Sequence, residues 1–183
     1  MPVLRGKKVM LRPYRRDDIK GLLLWVNNAE TVRYLSSWAD APYTEKNAEQ
    51  YLDYAMTGGS DRMMFVIADA VTEEYRGQIS LDCINRRNGT AELRIVIGAA
   101  EHRAKGLGGE SIRMLLHYAF ETLGLRRIEL DVFADNSAAR LCYLKAGFKE
   151  EGVKRQSVWK NGAYRDMVFM AVLRDEYEEA HHD

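Results

Sequence analysis

An apolar strand that runs through a short polar loop into glycines, and from them into a long amphipathic helix, leaves a chain few folds to adopt. Here that stretch is Ile95-Val96-Ile97-Gly98-Ala99-Ala100-Glu101-His102-Arg103-Ala104-Lys105-Gly106-Leu107-Gly108-Gly109-Glu110. After it Ile112, Leu115, Leu116, Ala119, Phe120 and Leu123 recur at helical spacing, with Gly124 as the C-cap. Arg127 to Phe133 then alternates, with Ile128, Leu130 and Val132 on the inner face. Strand, helix, strand in this order implies a right-handed crossover and a parallel pair.

A helix that starts at such a loop has unbonded backbone N–H groups and the positive end of its dipole at one point, so an anion belongs there, most simply a phosphate. Gly106 and Gly108 can take φ > 0 and have no Cβ to keep a polyphosphate away. Arg103 and Lys105 add cationic side chains at the rim. The loop is neither G-x-x-x-x-G-K-[ST] nor G-x-G-x-x-G, and read by itself it is equally an ordinary glycine-rich helix start.

The rest of the chain supplies strands and helices for the same sheet. Val9 to Pro13 reads as a first strand, and Asp17 or Asp18 can cap a helix that buries Leu22, Leu23, Trp25 and Val26. A loop from Asn27 to Leu35 precedes a helix over Tyr43 to Ala55, with Thr44 or Asn47 as its cap. Glu30, Tyr34, Trp38, Asp40, Tyr43 and Glu45 form an acidic and aromatic region suited to a cationic ligand, or a loop packed by its own rings. Met63 to Ala70 and Tyr75 to Cys83 are expected as antiparallel strands. Asn88-Gly89 is expected as a type I′ hairpin turn into Thr90 to Gly98. In that strand Ala91, Leu93, Ile95 and Ile97 share one face, and Glu92, Arg94, Val96 and Gly98 the other. A short helix, Ser137 to Ala146, starts at Asn136 or Ser137, and a hairpin through Asn161-Gly162 joins Val153–Trp159 to Tyr164–Leu173.

With 183 residues the chain is long enough for a core and short enough for one domain, 1–183, with residues 177–183, including His181 and His182, as a polar tail. Lys plus Arg equals Asp plus Glu at 27 each, with no run of like charge, so neither nucleic acid nor a membrane surface is an expected partner. No leader or bilayer-length apolar run is present, which implies a cytoplasmic protein with reduced thiols. Cys83 and Cys142 have no metal-ligand spacing, and no metal is expected.

Arg103-x-x-Gly106-x-Gly108 at the end of an apolar strand resembles the acetyl-coenzyme A loop of the GNAT N-acetyltransferase superfamily. Asn136-Ser137-Ala138-Ala139-Arg140-Leu141-Cys142-Tyr143-Leu144-Lys145-Ala146-Gly147-Phe148 is similar to that family's second signature, N-x-x-A-x-x-x-Y-x-x-x-G-F. Asn27 to Tyr34, Ala91-Glu92-Leu93 and Asn161 to Asp166 resemble the branch with ribosomal-protein N-terminal and spermidine N-acetyltransferases. Ala104 stands where glycine is frequent.

The resemblance implies an α/β fold, a mostly antiparallel mixed sheet with one splayed parallel pair and helices on both faces. It implies acetyl-coenzyme A as cosubstrate, with pantetheine on backbone groups of Val96, Ile97 and Gly98. The pyrophosphate would lie on the amides of Arg103, Ala104, Lys105, Gly106, Leu107, Gly108 and Gly109. Asn136 would hold the pantetheine arm, or serve only as a helix cap. Tyr143, between Ala139 and Ala146 on its helix, would be the general acid for the leaving thiolate; Leu141 and Cys142 are expected to face the core. Glu92 is the candidate base, or an ion-paired residue, since Arg94 lies two positions along the same face. Cys142 has no nearby histidine to activate it as a nucleophile.

The reaction this implies is direct attack of a primary amine on a ternary complex, with a protein or peptide α-amine or a polyamine as acceptor. The alternative is a GNAT-fold module that binds acyl-coenzyme A without turnover. An exposed sheet edge in the C-terminal strands would permit a homodimer or higher homo-oligomer.

Overall fold

A computed structural model describes residues 1–35 and 42–179 of the chain. Trp38, Asp40, His181 and His182 lie outside the described residues. The strands are β1 (Leu4–Arg5), β2 (Val9–Arg12), β3 (Met63–Asp69), β4 (Tyr75–Asn85), β5 (Thr90–Ile97), β6 (Arg127–Phe133), β7 (Lys149–Lys160) and β8 (Ala163–Leu173). The helices are α1 (Asp18–Leu23), α2 (Ala29–Val32), α3 (Glu45–Thr57), α4 (Leu107–His117), α5 (Ser137–Lys145) and α6 (Arg174–Glu179).

One mixed sheet holds all eight strands in the order β1-β2-β3-β4-β5-β6-β8-β7. Every neighbouring pair is antiparallel except β5 and β6. Alternation along the strands divides the side chains between two faces. On one, α4 and the π-helical turn that continues it (Tyr118–Thr122) lay Ile112, Leu115, Leu116, Ala119 and Phe120 against Leu11, Phe65, Ile79, Leu93 and Leu130. On the other, α3 packs Leu52 and Ala55 on Met10, Met64 and Val66, while Leu22, Trp25 and Val26 form a further cluster. The expected architecture, with helices on both faces, is the one found.

Local chemistry differs from expectation in four places. Asn27 to Leu35 is not all loop: Asn28 accepts from the Thr31 amide and caps the single turn α2. Neither aspartate caps α1, because Asp17 makes no cap bond and Asp18 turns inward to Arg12. The turn before β5 is four residues long, and only Gly89 has positive φ (+67°), so it is not type I′. The Asn161-Gly162 turn does have both residues left-handed, at +53° and +77°. Finally, residues 177–179 belong to α6, where Tyr177 is buried against Phe120, with ring centroids 5.1 Å apart. For α3 the alternative caps resolve into a capping box shared by Thr44 and Asn47.

Candidate active site

The parallel pairing of β5 and β6 covers only Thr90–Glu92 against Arg127–Glu129. Beyond Glu92 the two strands part, although β5 continues to Ile97 and β6 to Phe133. The gap opens into a cleft of about 1430 Å³ that reaches from the α4 loop across the sheet to α3 and β7.

Strand alternation decides which backbone groups face that gap. The Gly98 amide bonds the Arg76 carbonyl of β4 at 2.9 Å, and its own carbonyl accepts from Thr31 Oγ1 at 3.2 Å and from Arg103 at 3.3 Å. The Val96 carbonyl lies close against Gly77. Gly98 and Val96 are therefore turned to β4, whereas Ile97 and, two residues earlier, Ile95 turn their peptide groups to the gap. Of the three residues expected to offer free backbone, this leaves Ile97, with Ile95 added. Period-two pairing could have indicated Ile95, once the strand facing Gly98 was known. Gly98 has a separate use: a Cβ there would meet Trp25 Cδ1 at 2.5 Å.

At the other end of the loop, Gly106 is the left-handed N-cap of α4 (φ +83°) and Ala104 is also left-handed (φ +57°). Gly108 is not: it lies with Gly109 in the first helical turn. The Glu110 amide closes the first intrahelical bond to the Gly106 carbonyl, so the amides of Gly106, Leu107, Gly108 and Gly109 have no partner within the helix. Arg103 does not stand free at the rim; it donates to Thr31 Oγ1 and the Gly98 carbonyl and pairs with Glu30 at 3.4 Å. The bonds tie α2 to the loop. Lys105 is exposed, and its carbonyl accepts from Lys8 Nζ at 3.0 Å.

α5 lies on the rim with no fully buried residue, so Leu141, expected toward the core, is 53% exposed. Cys142 packs partly against the core as expected, and burial raises its thiol pKa, which disfavours a nucleophilic thiolate. Tyr143 lines the cleft, half-buried, edge-on to Phe148 at 5.9 Å. Burial pushes its phenol above the ordinary value, so it keeps its proton at neutral pH. Asn136 Oδ1 accepts from the Ala139 amide at 3.3 Å; the side chain is a cap that also lines the cleft.

Across the sheet, Glu92 faces Asp82 in the β4–β5 register. Both Glu92 oxygens accept from Arg94, at 3.0 and 3.3 Å, and the same guanidinium approaches Asp82 at 3.7 Å. Ser80 Oγ donates to Asp82 at 2.7 Å. Glu92 is thus ion-paired within the cleft wall, and its neighbours Asp82 and Ser80 were missed because they lie in a different strand. Tyr14 and Tyr75 both donate to Gln78 Oε1, at 3.0 and 3.3 Å, further along the same face. No group of three or more His, Cys, Asp or Glu gathers to hold a metal among the described residues.

A splayed parallel pair beside a left-handed glycine loop, with a protonated tyrosine on the opposite wall, is an arrangement for a long, polyphosphate-bearing thioester. Residues 8–149 match the sequence profile of the acetyltransferase (GNAT) domain. The chain belongs to the GNAT acetyltransferase family. It is an N-acetyltransferase, and acetyl-coenzyme A is its cosubstrate. This GNAT chain is 30% identical over 174 residues to spermidine N(1)-acetyltransferase of Escherichia coli (strain K12), spanning 94% of its own length and 90% of the relative's. Its fold superposes on the crystal structure of spermidine N-acetyltransferase from Vibrio cholerae in complex with CoA and spermine. That match has a TM-score of 0.82 and 29% identity, covering 94% and 99% of the two chains. A provisionally named ribosomal N-acetyltransferase of Bacillus subtilis (strain 168) is 35% identical over 102 residues, 56% of this chain and 55% of that one.

Proposed function

We propose that this GNAT chain acetylates a primary amine of a polyamine by direct attack on acetyl-coenzyme A in a ternary complex. The observation that carries the reading is the pair of carboxylates on one polar face of the cleft, Asp82 and Glu92, which share a single guanidinium, Arg94. One negative charge is left over in a groove walled by Tyr51 and Tyr54. A flexible cation with several ammonium groups fits such a place through ion pairing and ring contact. Full-length similarity to the spermidine enzymes supports the same acceptor class.

The loop amides from Gly106 to Gly109 hold the pyrophosphate, with Ala104 and Gly106 shaping the turn, the exposed Lys105 adding positive potential and Arg103 tying the loop to α2. Ile95 and Ile97 offer peptide groups to the pantetheine arm, and Asn136 donates to it from Nδ2. When bound, acetyl-coenzyme A supplies the activated carbonyl. Glu92, with Asp82, draws the acceptor ammonium in and takes its proton directly or through water, leaving a neutral amine to attack. Tyr143 Oη gives its proton to the departing sulfur.

The test is release of coenzyme A thiol from acetyl-coenzyme A with spermidine, spermine and short peptides bearing a free α-amine. Release with the polyamines, and a mass gain of one acetyl on them, is the expected result. Release with the peptides alone would assign the chain to the protein-acetylating activity. Cofactor binding without release on any of these acceptors would overturn the polyamine reading and point to a different primary amine.

A further inference from the structure

The phosphate loop is held from behind by a part of the chain far away in sequence. Lys7 and Lys8, in the turn between β1 and β2, both give their backbone amides to one oxygen of Glu110, the Lys8 bond measuring 3.0 Å. Lys8 then reaches on and donates from Nζ to the Lys105 carbonyl. Gly6 completes the turn, because any Cβ there would collide with the Glu110 carboxylate and with Met114 Sδ at 2.7 Å.

We infer that this N-terminal turn is a latch for the phosphate loop, and that Lys8 and Glu110 are positioning residues for acetyl-coenzyme A. The Lys105 carbonyl and the Gly106 N–H belong to one planar trans peptide and point in opposite directions. By holding the carbonyl outward, Lys8 aims the Gly106 amide inward, at the place assigned to the pyrophosphate. Glu110 acts on the same point by anchoring the turn that carries Lys8, since one carboxylate oxygen accepts both the Lys7 and Lys8 amides. It sits in the first turn of α4, where a free carboxylate would compete with an anionic ligand for the helix dipole. Tied to Lys7 and Lys8, it is drawn away from the open amides. Neither residue lines the cleft, so neither touches the reacting atoms.

The inference rests on the loop being the phosphate site, and the experiment separates the two. Steady-state kinetics with acetyl-coenzyme A and with S-acetylpantetheine, which has no phosphate, are compared for the wild type, Lys8→Met and Glu110→Ala. Preference of the wild type for acetyl-coenzyme A supports the phosphate assignment; equal use of the two donors overturns it. Given that preference, the latch predicts that each variant raises KM for acetyl-coenzyme A about tenfold, with kcat and the S-acetylpantetheine parameters unchanged. Lys8→Arg and Glu110→Gln, which keep a donor and an acceptor respectively, should restore most of the loss.

Glu110→Ala discriminates most sharply. If the two residues acted only by charge, removing a carboxylate would tighten binding of the anionic donor, whereas the latch requires it to weaken. Tighter binding, no change, or equal loss on both donors would overturn the latch.

Discussion

Tyr143 is the residue on which the proposed chemistry is most directly tested. Its phenol is held protonated by burial, in the wall of the cleft, beside Asn136 and Ala139. Tyr143→Phe should leave coenzyme A binding intact and lower kcat by about 100-fold or more, measured by thiol release. An acid must be protonated to act. A pKa raised above the ordinary value of about 10 therefore predicts that no loss of kcat from this phenol sets in by pH 10, where an unperturbed tyrosine would already be half-deprotonated. Unchanged turnover in Tyr143→Phe would remove the assignment.

At the scale of one element, α5 has two tasks for Asn136. Its Oδ1 caps the helix through the Ala139 amide, Nδ2 makes no hydrogen bond among the described residues, and the residue lines the cleft. Asn136→Ser retains a capping oxygen but no amide. The expected outcome is unchanged thermal stability with KM for acetyl-coenzyme A raised about fivefold, the loss of one hydrogen bond. Asn136→Ala should lose about 1 kcal/mol of stability as well. Equal KM in wild type and Asn136→Ser would leave the residue as a cap alone.

At the scale of the whole molecule, two buried polar features join elements that are distant in sequence or stacked in different layers. Arg12 of β2 and Asp18 of α1 form a bidentate pair at 2.9 and 2.8 Å, each at most 5% exposed, and Arg12 also donates to the Glu73 carbonyl. Asp18→Ala leaves a buried guanidinium unpaired and should cost about 3–5 kcal/mol in denaturant unfolding. Tyr14, Tyr51 and Tyr75 meet around Gln78 beneath the second helical layer, where burial raises all three phenol pKa values, that of Tyr51 to about 12. In the unfolded chain these phenols ionise near pH 10. Above that pH the unfolded state binds fewer protons than the folded one, so stability should fall steadily from pH 10 to pH 12. A urea midpoint constant across that range would contradict this.

Periodicity alone determined much of this protein. The α4 stripe, the alternation of β5 and β6, and the glycines between them were readable because a helix and a strand impose their own spacing on apolar residues, whatever surrounds them. The placement of Tyr143 on a short helix and of the glycine loop at the start of α4 was legible because each sits in a short signature whose geometry is local. Relations across the sheet were not. The engagement of Gly98 and Val96 by β4, the pairing of Asp82 with Glu92, the inward turn of Asp18 and the Glu110 latch depend on register and layer packing, which bring together residues as much as 103 positions apart. Local sequence pattern fixes which face a side chain takes along its own element; only tertiary structure decides what stands opposite, because that partner is chosen by the burial of the whole core.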